Sequence, residues 1–220
     1  MNRDFDCKLI IRSDERLIHT PSMTDATTMV TITLPDGSTK EYDNEVTPAQ
    51  VAKDIGPGLA KAAMAAEVDG QIVGLDYLIP DGNEAALKLF TKKDPEALGV
   101  MRHSAAHVMA RAIMKLFPGV QLAFGPTIDG GFYYDFDLDH KLSDEDFEMI
   151  EAEMKKIIKA DEPFERIEAN REEALNIVSD LGQEYKVEHI RDGLTEHSQL
   201  SFYRQGEFID LCRGPHIPSA

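Results

Sequence analysis

Met101-Arg102-His103-Ser104-Ala105-Ala106-His107 is the stretch around which we interpret the fold. A helix turns by about 100° per residue, so His103 and His107 leave the same side of it and point at one place. The apolar residues of this segment form a stripe roughly 100° wide on the opposite side, as in a packed helix: Met101, Ala105, Val108, Met109, Ala112 and Leu116. We therefore expect both histidines to lie off the main core stripe and to line a cleft.

A second cluster of similar chemistry lies near the carboxyl end, at Cys212-Arg213-Gly214-Pro215-His216. The strand predicted just before it places Asp210 and Cys212 on one face. Because Gly214-Pro215 disfavours a helix, we expect a bent loop that turns Cys212 and His216 inward. Three histidines and one cysteine are a known zinc ligand set, and they are equally a set of proton-transfer groups and hydrogen-bond donors.

Composition and charge limit the classes of function. The 220 residues, of which 42% are hydrophobic and 29% charged, are typical of a soluble globular protein of one or two domains. No apolar run approaches the length of a membrane span and the acidic amino terminus lacks a signal-peptide pattern, so we expect a cytoplasmic protein without a membrane partner. Cys7 and Cys212 are too few for a disulfide scaffold. The net charge of −17 opposes nucleic-acid binding, which would need a local basic patch or help from other segments.

The first part of the chain predicts a small α+β module. Residues 1–28 show no sustained period and are expected to be a poorly ordered extension. The pattern changes at Met29, and the elements expected after it are a hairpin over residues 30–42, a helix over residues 48–55 and strands over residues 65–68, 71–75 and 86–91. Thr47 is a capping residue for this helix, and Gly56 stands where the helix would end. This order suits a β-grasp arrangement.

The rest of the chain predicts a second α+β unit, after a polar linker at residues 91–95. The elements expected there are the HxxxH helix up to Phe117, a strand over residues 132–138, a helix capped by Ser143, a helix over residues 171–181, and strands over residues 184–190 and 207–211.

Two sets of motifs carry a family resemblance. Leu34-Pro35-Asp36-Gly37 and Asp54-Ile55-Gly56-Pro57-Gly58-Leu59-Ala60 resemble the TGS domain at the amino terminus of threonyl-tRNA synthetases. The motifs that resemble the editing domain of the same enzymes, a relative of alanyl-tRNA synthetase editing domains, are HxxxH, CxxxH, Gly125-Pro126, Gly131-Phe132-Tyr133-Tyr134-Asp135 and Glu184-Tyr185-Lys186-Val187. The resemblance implies a TGS-like domain over residues 29–92 and an α+β editing domain over residues 93–220, with the HxxxH helix packed on an antiparallel sheet.

What the resemblance implies in function is post-transfer editing, the hydrolysis of Ser-tRNA(Thr) made in error for Thr-tRNA(Thr). A site that selects threonine rejects serine poorly, because one methyl group changes binding by only about 1–3 kcal/mol. A second pocket would admit serine and exclude threonine by a clash with the extra methyl group. The implied partners are the tRNA(Thr) acceptor end that carries serine and the remainder of a synthetase, since we expect no aminoacylation core in this chain.

The resemblance also implies roles for individual residues. His103 and Lys186 are expected closest to the scissile ester, Lys186 as a donor to developing negative charge and His103 as the residue that positions the water or the ribose hydroxyl. Asp210 is expected to hold the substrate ammonium, for which a carboxylate is the natural partner. The residues expected to complete the site are His107, Cys212 and His216 as catalytic candidates and Tyr134 and Gly125 as substrate-binding candidates.

Zinc and two other functions stay open at this point. In alanyl-type relatives the side chains equivalent to His103, His107, Cys212 and His216 hold zinc, whereas threonyl-type domains work without it. We therefore predict no required metal, with zinc possible at these four residues. The alternative functions are a zinc-dependent, alanyl-type deacylase and a non-catalytic TGS-containing binding or regulatory module.

Overall fold

The computed structural model describes residues 29–125 and 127–220. The extension predicted over residues 1–28, which includes Cys7, and Pro126 of the Gly125-Pro126 motif lie outside the described residues. The predicted mixture of helices and strands is confirmed. Within the described ranges, no helix is both long and apolar enough to cross a membrane.

The first half is a five-stranded sheet with two helices. Its elements are β1 (Val30–Thr33), β2 (Thr39–Tyr42), α1 (Pro48–Ile55), α2 (Pro57–Ala62), β3 (Ala63–Val68), β4 (Gln71–Val73) and β5 (Glu84–Thr91). The strand order is β2-β1-β5-β3-β4, with β1 parallel to β5 and the other pairs antiparallel. Val51 of α1 packs with Ile32 and Leu87 of the sheet in one buried cluster. A mixed sheet with a helix packed on it agrees with the β-grasp module predicted here.

Local signals account for the ends of these elements. Gly37 has a φ of 82° in the turn between β1 and β2, a left-handed value that favours glycine. Asp69 and Gly70 have φ values of 50° and 84° between β3 and β4, as the tight hairpin turns require. Thr47 caps α1 by accepting a hydrogen bond of 3.2 Å from the backbone N–H of Gln50.

The second half is built around one long helix. Its elements are α3 (Pro95–Leu116), β6 (Gln121–Leu122), β7 (Thr127–Ile128), β8 (Gly131–Phe132), β9 (Phe136–Asp137), α4 (Asp144–Ala160), β10 (Glu165–Asn170), α5 (Arg171–Asp180), α6 (Glu184–Glu188), a π-helical segment (His189–Gly193), β11 (Gln199–Gln205) and β12 (Phe208–Leu211). Strands β10, β11 and β12 form an antiparallel sheet in that order. Ile113 of α3 shares a buried cluster with Ile150 of α4, and Ala106 of α3 shares another with Phe208 of β12. Helix α3 therefore contacts both α4 and the three-stranded sheet.

The start of α3 is attached to the first half. Asp94, the residue before the helix, accepts hydrogen bonds from the backbone N–H and the hydroxyl of Thr91 at 2.7 and 2.9 Å. Phe90 of β5 and Val100 of α3 belong to one buried cluster. The end of β5 therefore sets the direction of the helix that carries the HxxxH motif.

The buried stripe of α3 differs from the predicted one. The residues that form it recur at helical steps of three and four and include three polar side chains: Ala97, Val100, Ser104, His107, Val108 and Arg111. His107 is 3% exposed and lies on this stripe, so its predicted position off the core was wrong, whereas His103 is partly exposed. A pattern of apolar residues could not predict this stripe, because three of its members are polar side chains. A polar side chain can be buried when it has a partner, and Arg111 pairs with Glu162 at 2.5 Å and with Glu207 at 2.6 Å.

Two predicted strands were also wrong. Within residues 132–138 only Phe132, the last residue of β8, and β9 are in strands, and residues 184–190 are helical. In the second case Lys186, Val187 and Ile190 are the buried positions, a spacing that fits a helical turn. In a segment this short, the pattern of apolar residues does not distinguish the strand period of 2.0 from the helix period of 3.6. The tertiary packing of the segment determines that it is helical.

Candidate functional site

The HxxxH and CxxxH motifs meet in one cluster. The ring centroids of His103 and His107 are 5.2 Å apart, and the ring of His216 lies 4.2 Å from each. The Sγ atom of Cys212 lies 3.2 Å from His103 Nε2 and 3.4 Å from His216 Nε2. One potential ligand atom from each of the four residues lies within 4.8 Å of the others. The structure therefore brings together the four residues that the sequence analysis selected.

The loop after β12 turns the CxxxH motif towards α3. The N–H of Cys212 donates to the Ser201 carbonyl at 3.0 Å, and the Ser201 hydroxyl donates to the Cys212 carbonyl at 2.7 Å. Gly214 has a φ of 73°, and a Cβ atom there would lie 2.3 Å from the Tyr203 hydroxyl oxygen. Strand β11 thus holds Cys212, and the loop can take this path only with glycine at position 214.

Hydrogen bonds to the Nδ1 atoms assign the tautomers of two histidines. His103 Nδ1 lies 3.1 Å from the Pro215 carbonyl, which can only accept, so Nδ1 carries the proton. The Ser104 hydroxyl donates to the carbonyl one turn earlier at 3.0 Å, so it accepts from His216 Nδ1 at 3.1 Å. Both Nε2 atoms are therefore left with lone pairs, and both face the thiol.

Burial keeps this cluster uncharged. It is the main cause that lowers the pKa values of His103, His107 and His216. Burial also raises the pKa of the Cys212 thiol to about 12. At neutral pH the cluster consists of neutral imidazoles and a protonated thiol, so it offers lone pairs rather than positive charge.

His107 contributes an unsatisfied nitrogen. Its Nε2 atom lies 3.6 Å from Asp210 Oδ2, whereas its Nδ1 atom is buried and has no hydrogen-bond partner within the described residues. Such an atom costs free energy unless a metal ion or a water satisfies it. Three imidazole nitrogens and a thiolate are a ligand set that binds zinc tetrahedrally. In such sites the other ring nitrogen of each histidine usually donates a hydrogen bond that orients the ring towards the metal, as the Nδ1 atoms of His103 and His216 do here. The four residues therefore fit a zinc ion.

A charged cluster adjoins the histidines. Lys186 Nζ lies 2.9 Å from Asp210 Oδ1, and the Tyr134 hydroxyl donates to Asp210 Oδ2 at 2.5 Å. The Lys186 and Asp210 side chains are 3% and 4% exposed, and Lys186 Nζ also donates to the Tyr134 hydroxyl at 3.3 Å. Burial and the Asp210 charge raise the pKa of Tyr134 well above its usual value, so its hydroxyl remains a donor. A buried ammonium on fixed partners is a preorganised donor for developing negative charge.

Lys186 reaches this cluster from a helix rather than from the predicted strand. Gln183, just before α6, accepts from the Leu122 N–H at 2.6 Å and donates to the Val120 carbonyl at 3.3 Å. These bonds attach α6 to the segment that follows α3. The ammonium of Lys186 also lies 4.9 Å from the ring centroid of Phe124, which is a favourable cation–π distance.

Gly125 has a packing role at this cluster. A Cβ atom at this position would lie 2.2 Å from Tyr134 Cδ2 and 2.8 Å from the Tyr133 carbonyl oxygen. A side chain there would displace the Tyr134 ring and the hydroxyl that donates to Asp210. The structure thus gives Gly125 a positioning role, while its contact with a substrate stays a prediction.

A cavity of about 230 Å³ opens beside Cys212. Its wall includes Phe124, His189, His197, Ser201, Cys212 and Arg213. Only Cys212 of these residues was predicted as a site residue. Phe124, His189, His197 and Ser201 come from separate loops, a helical segment and a strand that no spacing pattern connects, and Arg213 has no signal of its own in the CxxxH motif. A larger cavity, of about 530 Å³, lies between the first-half sheet and residues 213–215 and is lined by none of the predicted site residues.

Comparisons with known proteins place this geometry in context. Residues 30–91 match the TGS domain family. The chain is 57% identical over 195 residues to the threonine–tRNA ligase of Rhodopirellula baltica, a match that covers 87% of this chain and 26% of that protein. It is 51% identical to the threonine–tRNA ligase of Clostridioides difficile and 50% identical to that of Thiobacillus denitrificans, each over 191 residues, with 87% of this chain and 29% and 30% of those proteins covered. The chain thus spans less than a third of the length of these relatives.

Proposed function

Because the chain has a TGS domain and matches the amino-terminal part of threonine–tRNA ligases, we propose that it is the editing portion of such a synthetase and hydrolyses Ser-tRNA(Thr). On this proposal residues 29–92 are the TGS domain and residues 93–220 the editing domain. Its partners are the tRNA(Thr) acceptor end that bears serine and the rest of the synthetase. One observation carries the proposal: the neutral cluster of three histidines and Cys212 adjoins the buried pair of Lys186 and Asp210, and a cavity opens beside Cys212.

The proposed reaction is hydrolysis of the ester between serine and the terminal ribose. The oxygen of water forms a bond to the ester carbonyl carbon, and the carbonyl oxygen becomes negatively charged. The bond between that carbon and the ribose oxygen then breaks, and a proton from the water passes to the ribose oxygen. Serine and a tRNA with a free terminal hydroxyl leave. The step needs a positioned water, a path for the proton and a donor for the oxyanion.

Two residues supply these functions in the proposal. Lys186, held by Asp210 and Tyr134, donates to the oxyanion from a site where little water screens its charge. His103 has its proton on Nδ1, so its Nε2 lone pair accepts a hydrogen bond from the water or the ribose hydroxyl. Cys212, now 3.2 Å from that lone pair, would have to turn away when the water binds.

Asp210 has less freedom than the ammonium-binding role requires. Its Oδ1 atom pairs with Lys186, and its Oδ2 atom accepts from Tyr134. A serine ammonium therefore reaches Asp210 only through a second lone pair on one of these oxygens or after one of the partners moves. In the described geometry Asp210 instead keeps Lys186 and Tyr134 oriented.

Deacylation rates of Ser-tRNA(Thr) and Thr-tRNA(Thr) test the proposal. We expect the serine ester to be hydrolysed much faster, because a pocket that excludes the extra methyl group protects the correct product. Replacement His103→Ala should abolish most of the activity. The matched control is His140→Ala, at an exposed histidine that pairs with Asp146 on another surface and should have no effect. Equal rates on both esters, or no hydrolysis of the serine ester, would refute editing.

The unsatisfied His107 nitrogen favours one second candidate, a zinc-containing deacylase of the alanyl type. His103, His107, Cys212 and His216 would hold the ion, and zinc with an open position would supply Lewis-acid activation of water. Four protein ligands leave no such open position, so a zinc bound by all four would orient these side chains rather than activate water. Ala-tRNA turnover together with stoichiometric zinc would favour this candidate over serine editing.

A further inference from the structure

Arg213 occupies a position shared by both cavities described above. It follows Cys212 in the loop, and it lines the cavity beside that residue and the larger one next to the first-half sheet. Among the lining residues it is the one common to the two. A ligand that extends from one cavity into the other can therefore contact its side chain.

The guanidinium of Arg213 is exposed and has no acidic partner among residues 29–125 and 127–220. In the described part of the chain its polar contact is His197 Nε2, at 3.4 Å. By contrast Arg111, Arg166 and Arg204 each pair with a glutamate. The net charge of −17 means that the protein has many carboxylates, yet none of them pairs with Arg213 in the described ranges. This guanidinium is therefore free to bind another anion.

The cavity beside Cys212 is small and has an aromatic ring in its wall. Its volume of about 230 Å³ is below the roughly 300–1,000 Å³ of drug-sized sites. Phe124 in its wall is 40% exposed, so a base can stack on its ring. The charge of Arg213 is also felt at His189 in the same wall. Burial is the main cause that lowers the pKa of His189, and the charges of Lys186 and Arg213 lower it further.

We propose that Arg213 binds the phosphate that joins the terminal adenosine to the preceding nucleotide, and so positions the aminoacylated end in the cavity beside Cys212. The inference rests on the proposed editing function and adds a positioning residue to it. A planar guanidinium binds phosphate through two parallel hydrogen bonds, which fixes orientation as well as location. The nucleotides before that phosphate then leave through the larger cavity, whose other wall belongs to the first half of the chain.

Two small esters isolate this contact. Seryl-adenosine and seryl-AMP, each with serine esterified to the 2′- or 3′-hydroxyl of the ribose, carry the same scissile ester and differ only in the free 5′-phosphate that Arg213 would bind. We expect the unchanged chain to hydrolyse seryl-AMP with a kcat/KM about tenfold higher, a gain typical of a charged hydrogen bond at an exposed site. Arg213→Ala should remove this preference and leave seryl-adenosine unaffected within about twofold, while Arg213→Lys should retain part of it. Arg191→Ala, at another exposed arginine, is the control that keeps the full preference.

The outcomes separate the two proposals. An equal loss on both esters, or no loss on either, would overturn the role of Arg213 while editing still stands. If the unchanged chain hydrolyses neither ester, the Ser-tRNA(Thr) assay decides whether editing stands, and calorimetric titration with AMP and adenosine tests the phosphate contact directly. Equal affinities for the two ligands, or an AMP affinity unchanged by Arg213→Ala, would overturn it. Melting curves of all variants check that the fold is intact.

Discussion

The buried pair of Lys186 and Asp210 leads to a quantitative prediction for the variant Asp210→Asn. The substitution preserves shape and an oxygen that can accept from Tyr134, but it removes the charge that lies 2.9 Å from the lysine ammonium. Lys186 is 3% exposed, so water cannot take over from the lost partner. Loss of one partner of a buried pair costs about 3–5 kcal/mol of the free energy of unfolding, and we expect the lower end because the asparagine oxygen remains.

Urea unfolding followed by far-ultraviolet circular dichroism measures this cost. At a slope of about 2 kcal/mol per molar urea, a loss of about 3 kcal/mol shifts the midpoint by roughly 1.5 M. The control variant is Glu151→Gln, which breaks an exposed pair with Lys155 of similar length, 3.2 Å, and should leave the midpoint unchanged. The contrast tests burial rather than the mere presence of an ion pair.

A double-mutant cycle completes the test. Lys186→Met alone leaves the Asp210 carboxylate without its ammonium, whereas Lys186→Met combined with Asp210→Asn leaves neither charge buried. The double variant should therefore lose clearly less than the sum of the two single losses, with a coupling of about 1–3 kcal/mol. Strict additivity, or a midpoint shift for Asp210→Asn as small as that of the exposed control, would refute the argument that this pair is buried and coupled.

The same geometry sets the expected effects of two further substitutions and of chelation. His103→Ala should slow Ser-tRNA(Thr) hydrolysis by about 100-fold or more with little change in melting temperature, and an unchanged rate would remove it from the mechanism. Gly125→Ala should lower the free energy of unfolding by about 1–3 kcal/mol, because the new Cβ would lie 2.2 Å from Tyr134 Cδ2. Gly58→Ala is the control and should not destabilise the fold, because there is open space around Gly58. Equal melting temperatures of the two variants would contradict the packing role of Gly125. Ser-tRNA(Thr) hydrolysis should persist after chelation, measured beside elemental analysis of protein purified without added zinc; joint loss of stoichiometric zinc and activity would show that the metal is required.

Local sequence signals identified much of the architecture. The turn at Asp69-Gly70, the cap at Thr47 and the helix that ends before Phe117 each depend on neighbouring residues, and all three are present in the structure. The same signals failed over residues 184–190. There, Gln183 attaches the segment to Val120 and Leu122, which are more than 60 residues away, and this contact has no trace in the local pattern.

The candidate site divides in the same way. Spacing alone was enough to place His103 and His107 on one helix and to expect the CxxxH loop to bend inward, because both conclusions follow from backbone geometry over a few residues. Three features of the site are determined only by the tertiary structure. His107 lies on the buried stripe of α3, both oxygens of Asp210 contact other side chains, and Arg213 lines both cavities. These features depend on partners distant in sequence, and burial changes the energy of a polar group according to the partner it meets.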